Sequence, residues 1–135
     1  MHCISTEITR IVLVRLNPRE DILAGLREAV ERESITNALI LNGVGSVSSF
    51  HYHVVADTNL PPAEAFPRAR EPRDIVAVSG LIMDGRVHAH ITLSDDTRAE
   101  GGHLEEGTRV LTFSVIAIGD LGDTNLSGWD HVGPL

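Results

Sequence analysis

Apolar and polar residues alternate along most of the chain, and this period of two predicts a protein built mainly of β-strands. The predicted strands cover residues 8–16, 38–42, 46–55, 74–83, 87–93 and 110–118. One segment differs, because apolar residues recur at helical spacing between Pro18 and Arg32. Asn17 is a suitable N-cap and Pro18 suits the first helical position, so we expect the helix to begin at Pro18.

One helix and six mostly antiparallel strands predict an α+β fold in which the helix packs on the sheet. The length of 135 residues fits a single compact domain, with its core over residues 8–120 and an irregular tail over 121–135. Asp84-Gly85, between two alternating segments, predicts a tight hairpin turn. Gly43 and Gly45 indicate a turn or bulge rather than a phosphate-binding loop, because no third glycine and no helix follow them.

Residues 57–72 contain four prolines and therefore predict a long surface loop. Loops of this length usually serve binding or mobility. We expect this one to close over a site or to contact another subunit, with Phe66 as its apolar anchor. In the tail, Trp129 is expected to dock on this or a neighbouring subunit.

The charge balance disfavours binding to duplex DNA. Nineteen acidic residues outnumber eleven basic ones, all of them scattered arginines, and the net charge is -8. Duplex binders instead cluster cations to neutralise phosphates. The single cysteine, Cys3, indicates a reducing compartment, and no apolar segment reaches the length of a membrane span. We therefore expect a cytoplasmic protein with no membrane partner.

Three histidines near the middle of the chain form the main candidate site. His88 and His90 are two residues apart on a predicted strand, so both side chains project from one face. His103 follows a polar loop, and Gly101-Gly102 is expected to form the turn that returns it to the pair. Three imidazoles with few cysteines suit a divalent metal, with zinc favoured. The alternative is that these histidines form hydrogen bonds at a subunit interface.

A second His-x-His pair, His51 and His53, lies on an earlier predicted strand. These two histidines also share a face, and they constitute a rival site. No third histidine follows them within one loop, so an ordinary role as half-buried histidines is the alternative.

The order of short motifs along the chain resembles the PPC domain, the plants-and-prokaryotes conserved domain. The motifs are Gly43-Val-Gly45-Ser-Val47, Val78-Ser-Gly80, His88-x-His90 and Gly101-Gly-His103-Leu104. The resemblance implies a compact domain that assembles as a homotrimer. More distantly, the fold looks similar to that of acetolactate decarboxylase, which binds zinc through a His-x-His and a later histidine.

Two departures from the family pattern limit what the resemblance implies. Plant members join the domain to AT-hook segments that bind DNA, and this chain has no Arg-Gly-Arg-Pro segment. Their nucleic-acid function is therefore not carried over. Members also commonly carry an acidic residue in the last strand, where this chain has Phe113-Ser-Val115.

Two classes of function remain open from the sequence. The first is a metal-dependent lyase or hydrolase acting on a small carboxylate or carbonyl compound. Its candidate residues are Glu105, Glu106, Glu100 and Asp95 as bases or supporting groups, and Arg86 and Arg109 as partners of a substrate carboxylate. The second is a non-catalytic regulatory or DNA-associated protein-interaction module, or a sensor that binds a small ligand.

Overall fold

The structure is a computed structural model and describes residues 1–135. Its elements are β1 (Arg10–Leu16), α1 (Ile22–Arg32), β2 (Ala38–Val55), β3 (Glu64–Ala65), β4 (Arg68–Ala69), β5 (Arg73–Met83), β6 (Arg86–Ser94), β7 (Ala99–Leu104) and β8 (Arg109–Asp120). All strand pairings are antiparallel. One helix on an antiparallel sheet confirms the predicted α+β fold.

The sheet closes on itself through its longest strand. The strand order is β1-β8-β2-β5-β6-β7, and β7 also pairs with β2. Strands β2, β5, β6 and β7 therefore form a ring in which each strand has two partners. The ring brings the C-terminal half of β2 next to β7, although about fifty residues separate them along the chain.

Helix α1 begins at Ile22, four residues later than predicted. Asp21 is the N-cap, and its Oδ1 accepts a hydrogen bond from Ala24 N at 3.1 Å. The preceding residues form a turn instead, with Arg19 at a φ of 77°, because they bond to β8: Arg19 N donates to Val110 O, and Val110 N donates to Glu20 O. Backbone pairing with a distant strand thus overrides the local helix signal at Asn17-Pro18.

The predicted strands 38–42 and 46–55 are one continuous strand, β2. Its register with β8 shifts between Gly45 and Val47 and at two further points, so the strand bends through β-bulges. Gly45 has a φ of 141°. A Cβ there would clash with the backbone at Phe113. The predicted bulge at these glycines is confirmed.

The Pro-rich segment 57–72 is mostly irregular, but it contains the short strands β3 and β4. Both strands pair with the C-terminal half of β2. Phe66 lies between them, and its ring centroid is 5.4 Å from that of His53 and 6.1 Å from that of His51. The segment therefore packs beside the histidines of β2.

The main core lies between α1 and the inner face of the sheet and contains 22 buried residues. The helix contributes Ile22, Leu23, Leu26 and Val30 to its buried face. The outer face of the sheet holds a smaller cluster, in which Leu121 and Leu126 of the tail pack with Met83. Trp129 remains 38% exposed. No helix in the structure has the length and apolar character needed to cross a membrane.

The hairpin between β5 and β6 turns at Asp84 and Gly85, which have φ angles of 51° and 73°. Positive φ at both central positions is the signature of a type I′ turn. The predicted hairpin is therefore confirmed. It fixes the register that places Leu81 opposite His88 and Ser79 opposite His90.

Candidate metal centre

Strands β6 and β7 place three histidines together. His90 is directly opposite His103 in the register of these strands. His88 lies two residues before His90 and projects from the same outer face, because Ala89 and Ile91 point into the core. The ring centroids of His88 and His103 are 4.6 Å apart, and those of His90 and His103 are 5.4 Å apart. The predicted group His88, His90 and His103 is thus brought together.

A fourth histidine joins the group from β2. His53 is directly opposite His103 on the other side of β7. The two rings stack, with centroids 4.4 Å apart and an angle of 23° between their planes. His53, His88, His90 and His103 form what we call the histidine cluster. Spacing along the sequence assigns His53 to a rival pair, and the pairing of β2 with β7 is what makes it a neighbour of His103.

Gly101 and Gly102 lie inside β7, not in a turn as predicted. The chain reverses earlier, where Asp95 N donates to Arg98 O at 3.1 Å. A Cβ on Gly101 would lie under 3.0 Å from Ile91 O, and one on Gly102 would also lie under 3.0 Å from His53 O. The two glycines therefore let β7 approach β6 on one side and β2 on the other. This close approach places His103 between His90 and His53.

The donor atoms of the cluster suit a metal ion. Those of His88, His90 and His103 lie within 4.8 Å of one another, and so do those of His53, His103 and Glu105. A tetrahedral zinc ion with Zn–N bonds of about 2.0–2.1 Å separates its nitrogens by about 3.4 Å. Rotation of the imidazoles about their side-chain bonds can bring the donor nitrogens from their present separations to the separation that zinc requires. The residues that could hold a metal are therefore those predicted, with His53 and Glu105 as further donors.

The protonation state of His90 and His103 also suits a metal. Burial lowers the pKa of His103 to about 4, and the nearby charges of His53, His88 and His90 add to this effect. Partial removal from water and the charge of His88 lower the pKa of His90. Both rings are therefore neutral near pH 7. A neutral imidazole has a free nitrogen lone pair, which is the form that binds metals.

Carboxylates surround the cluster on two sides. Glu105 Oε1 lies 2.7 Å from His53 Nδ1, so this ring nitrogen donates a hydrogen bond to the carboxylate. On the other side, Asp130 Oδ2 of the tail lies 3.6 Å from His88 Nδ1, and its other oxygen is 3.3 Å from Arg86. Carboxylates that contact metal-binding histidines orient their rings. Neither Asp130 nor the proximity of the tail was signalled by a motif.

The other predicted candidates lie apart from the cluster. Glu106 is 64% exposed and pairs with Arg27. Arg109 lies on β8 in register with Ser49, and its guanidinium donates to Arg19 O.

Asp95 and Glu100 have a structural role. They surround the buried guanidinium of Arg73, with shortest N–O distances of 3.3 Å and 3.1 Å. Glu105 is therefore the only one of the predicted acids that shares a candidate donor group with the histidines.

The family model of the Plants and Prokaryotes Conserved (PCC) domain matches residues 4–121. The chain belongs to this family. The resemblance inferred from the motifs is thereby confirmed. The PCC match includes β1 to β8 and every residue of the histidine cluster. Asp130 and the rest of the tail lie beyond it.

Among curated proteins, this PCC-domain chain is 28% identical over 112 residues to the bifunctional protein GlmU of a Synechococcus strain. The match covers 82% of the chain but only 17% of that relative. The chain therefore corresponds to a small part of the much longer protein.

Solved structures share the fold. A metal-containing protein from Archaeoglobus fulgidus has a TM-score of 0.76 and 23% identity, covering 89% of this chain and 86% of that one. A plant- and prokaryote-conserved (PPC) protein from Pyrococcus horikoshii has a TM-score of 0.73 and 22% identity, covering 92% and 87%. A Staphylococcus aureus protein of unknown function, similar to alpha-acetolactate decarboxylase, has a TM-score of 0.56 and 15% identity, covering 86% and 53%. The predicted distant likeness is thus found at the level of the fold.

Proposed function

We propose that the protein binds one divalent metal ion, preferably zinc, through His88, His90 and His103. The observation that carries this proposal is the convergence of three imidazoles from two adjacent strands on the outer face of the sheet. Three histidine ligands leave a further position for a substrate, as in catalytic zinc sites. The description of the Archaeoglobus fulgidus neighbour as metal-containing supports the same reading.

The site fits a lyase or hydrolase that acts on a small carboxylate or carbonyl compound. When bound, the metal would supply a Lewis acid that polarises a substrate oxygen. Glu105 is the proposed proton acceptor, because its Oε1 is held by His53 Nδ1 and its other oxygen can accept a proton. His53, stacked on His103, would hold that ring in its orientation. Phe66 beside His53 would limit the access of water.

A non-catalytic sensor or regulatory module is the second candidate. The observation that favours it is the engagement of other candidate groups: Glu106 pairs with Arg27, and Arg86 pairs with Asp130. A site whose predicted acids and arginines are largely engaged in this way suits binding of a ligand as well as its conversion. A DNA-associated role would be supported if the protein retarded duplex DNA in a gel at physiological salt.

The homotrimer remains our proposal for the assembly. Several large apolar side chains on the outer face of the sheet are exposed, namely Ile11, Leu13, Val44 and Phe113. The registers of β1 and β2 with β8 place them on one face. Contiguous apolar surface of this kind is typical of protein interfaces.

Light scattering should give a mass of three times 14.6 kDa. The variant Leu13→Glu should dissociate the assembly, and a wild-type monomer at all concentrations would contradict the proposal.

Elemental analysis of protein purified without a His-tag tests the metal proposal directly. We expect about one zinc ion per chain, the stoichiometry of a three-histidine site. The proposal is overturned if the protein carries no metal and calorimetry detects no binding at micromolar zinc. A screen of carboxylate and carbonyl compounds with the metal-loaded protein then separates an enzyme from a sensor, because only an enzyme converts a compound that it binds.

A further inference from the structure

A groove of about 770 Å³ opens beside His51 on β2. Three arginines line it, namely Arg68, Arg70 and Arg109. Small-molecule sites typically have volumes of about 300–1,000 Å³. The groove is therefore large enough for a small ligand, and its lining is unusually basic for a chain with a net charge of -8.

The pairing of strands determines this concentration of arginines. Arg68 on β4 is in register with His51, and Arg109 on β8 is in register with Ser49. His51 and Ser49 are two residues apart on β2, so they project from one face. Residues in direct register lie on the same face of a sheet. The two arginines therefore flank β2 from opposite sides and face the same groove.

The three arginines have no carboxylate partner. Most of the charged arginines elsewhere are paired with an acid, namely Arg10, Arg27, Arg73, Arg86 and Arg98. Glu106 is the one acidic residue that lines the groove, and it pairs with Arg27. Like charges that share a groove repel one another. An anion bound between them would remove this repulsion.

The polar groups of the groove are held in place by the backbone. Arg109 Nη1 donates to Arg19 O at 3.1 Å, which leaves the rest of its guanidinium free. Ser49 Oγ donates to Gly107 O at 2.8 Å. His51 Nδ1 donates to Glu106 O at 2.8 Å, which fixes the orientation of the ring. The guanidinium of Arg109 is thus held before a ligand arrives, which lowers the entropic cost of binding.

We infer that this groove binds the oxyanion group of a small molecule, a phosphate or a carboxylate, through Arg68, Arg70 and Arg109. The planar guanidinium donates two parallel hydrogen bonds to either group. Phe66 contacts both His51 and His53, so the groove adjoins the histidine cluster. The inference goes beyond the metal proposal and does not depend on it, because the arginines lie outside the candidate ligand set.

Calorimetry with inorganic phosphate and, separately, with succinate tests the inference at low ionic strength. We expect Arg68→Gln and Arg109→Gln each to weaken binding by about tenfold or more, because each removes a charge-assisted hydrogen bond. Arg32→Gln is the matched control. Arg32 is exposed on α1 and has no carboxylate partner, so this change removes the same charge outside the groove and should leave binding unchanged. Tighter binding of phosphate or of succinate identifies which oxyanion the groove prefers.

The same titrations in the variant His88→Ala with His90→Ala separate the groove from the metal. Anion binding that persists in this variant and still falls with Arg109→Gln supports the inference, whatever the metal content. Two results overturn it: the absence of binding of either anion at millimolar concentration, or binding that none of the groove arginines affects. If binding is lost only in the histidine variant, the anion binds at the metal, and the metal proposal stands while the groove inference fails.

Discussion

The two His-x-His pairs have identical spacing but different surroundings. On β6, His88 and His90 both belong to the histidine cluster, and their rings lie 5.6 Å apart at an angle of 9°. On β2 the pair is divided. His53 stacks on His103, whereas His51 bonds to a carbonyl and faces the arginine groove.

The difference lies in the strand opposite each histidine. His90 and His53 both lie opposite His103, so β7 connects the two pairs. His51 lies opposite Arg68 instead. Spacing along a strand determines only which face a side chain occupies. The residue across the ladder determines what that side chain contacts.

The largest effect on stability and metal binding is expected from separating β7 from β6, because β7 carries the histidine that connects the two pairs. Gly101→Ala places a Cβ against Ile91 O and forces β6 and β7 apart. We expect a loss of about 2–4 kcal/mol in the free energy of unfolding, because backbone atoms cannot move aside as a side chain can. Metal binding should be lost as well, since His103 moves away from His90. Urea unfolding and elemental analysis measure the two effects.

Gly119→Ala is the control for this change, because Gly119 also lies inside a strand, β8, and its φ is not positive. The atoms nearest to a Cβ there belong to the side chain of Ile8, which is 43% exposed and can move aside. The change should alter the free energy of unfolding by less than about 1 kcal/mol. If Gly101→Ala has the stability and metal content of Gly119→Ala, close approach of β7 is not what assembles the cluster.

Removing the β6 pair should abolish the metal and leave the fold intact. In the variant His88→Ala with His90→Ala, two of the three proposed ligands are absent, so stoichiometric zinc should fall below detection. Both side chains project from the outer face, and the core residues Ala89 and Ile91 remain. Circular dichroism should therefore match that of the wild type. Retention of one zinc per chain would show that other residues bind it.

The members of the β2 pair should respond differently when changed one at a time. His53→Ala removes the ring that stacks on His103 and donates a hydrogen bond to Glu105. Zinc affinity should therefore fall by about 10–100-fold, which is the usual effect of changing a residue that orients a metal ligand. His51→Ala should leave zinc affinity unchanged, since its ring bonds to Glu106 O. Competition with a chromogenic chelator measures both. Equal effects of the two changes would show that the pair acts as a unit.

The smallest expected effect is that of pH on zinc binding. Protons compete with metal for imidazole nitrogens, and a low pKa weakens this competition. Because the pKa of His103 is about 4, this ligand stays unprotonated at pH values where an ordinary histidine is already charged. Zinc should therefore remain bound at about pH 6 and dissociate as the pH falls toward about 4. Equilibrium dialysis at several pH values measures this, and complete release by pH 6 would contradict it.

Several features of the fold followed from local chemistry. The hairpin at Asp84-Gly85 was predictable because both of its central residues need positive φ, which few residue pairs adopt. The common face of His88 and His90 was predictable because the alternation of a strand has a fixed period. Other features were not. The helix start moved to Ile22 because residues 19–20 bond to β8, and no local signal records that partner.

The sequence by itself determined the class of fold, the family motifs and the three histidines that suit a metal. These depend on periodicity and residue type, which can be read locally. The tertiary structure decided that β2 bends and returns to β7, that Gly101 and Gly102 lie within a strand, and that His53 joins the cluster while His51 faces the arginines. Such contacts depend on the register between strands that are distant in sequence. The free energy that selects this register comes from the whole sheet and core, so no short segment contains it.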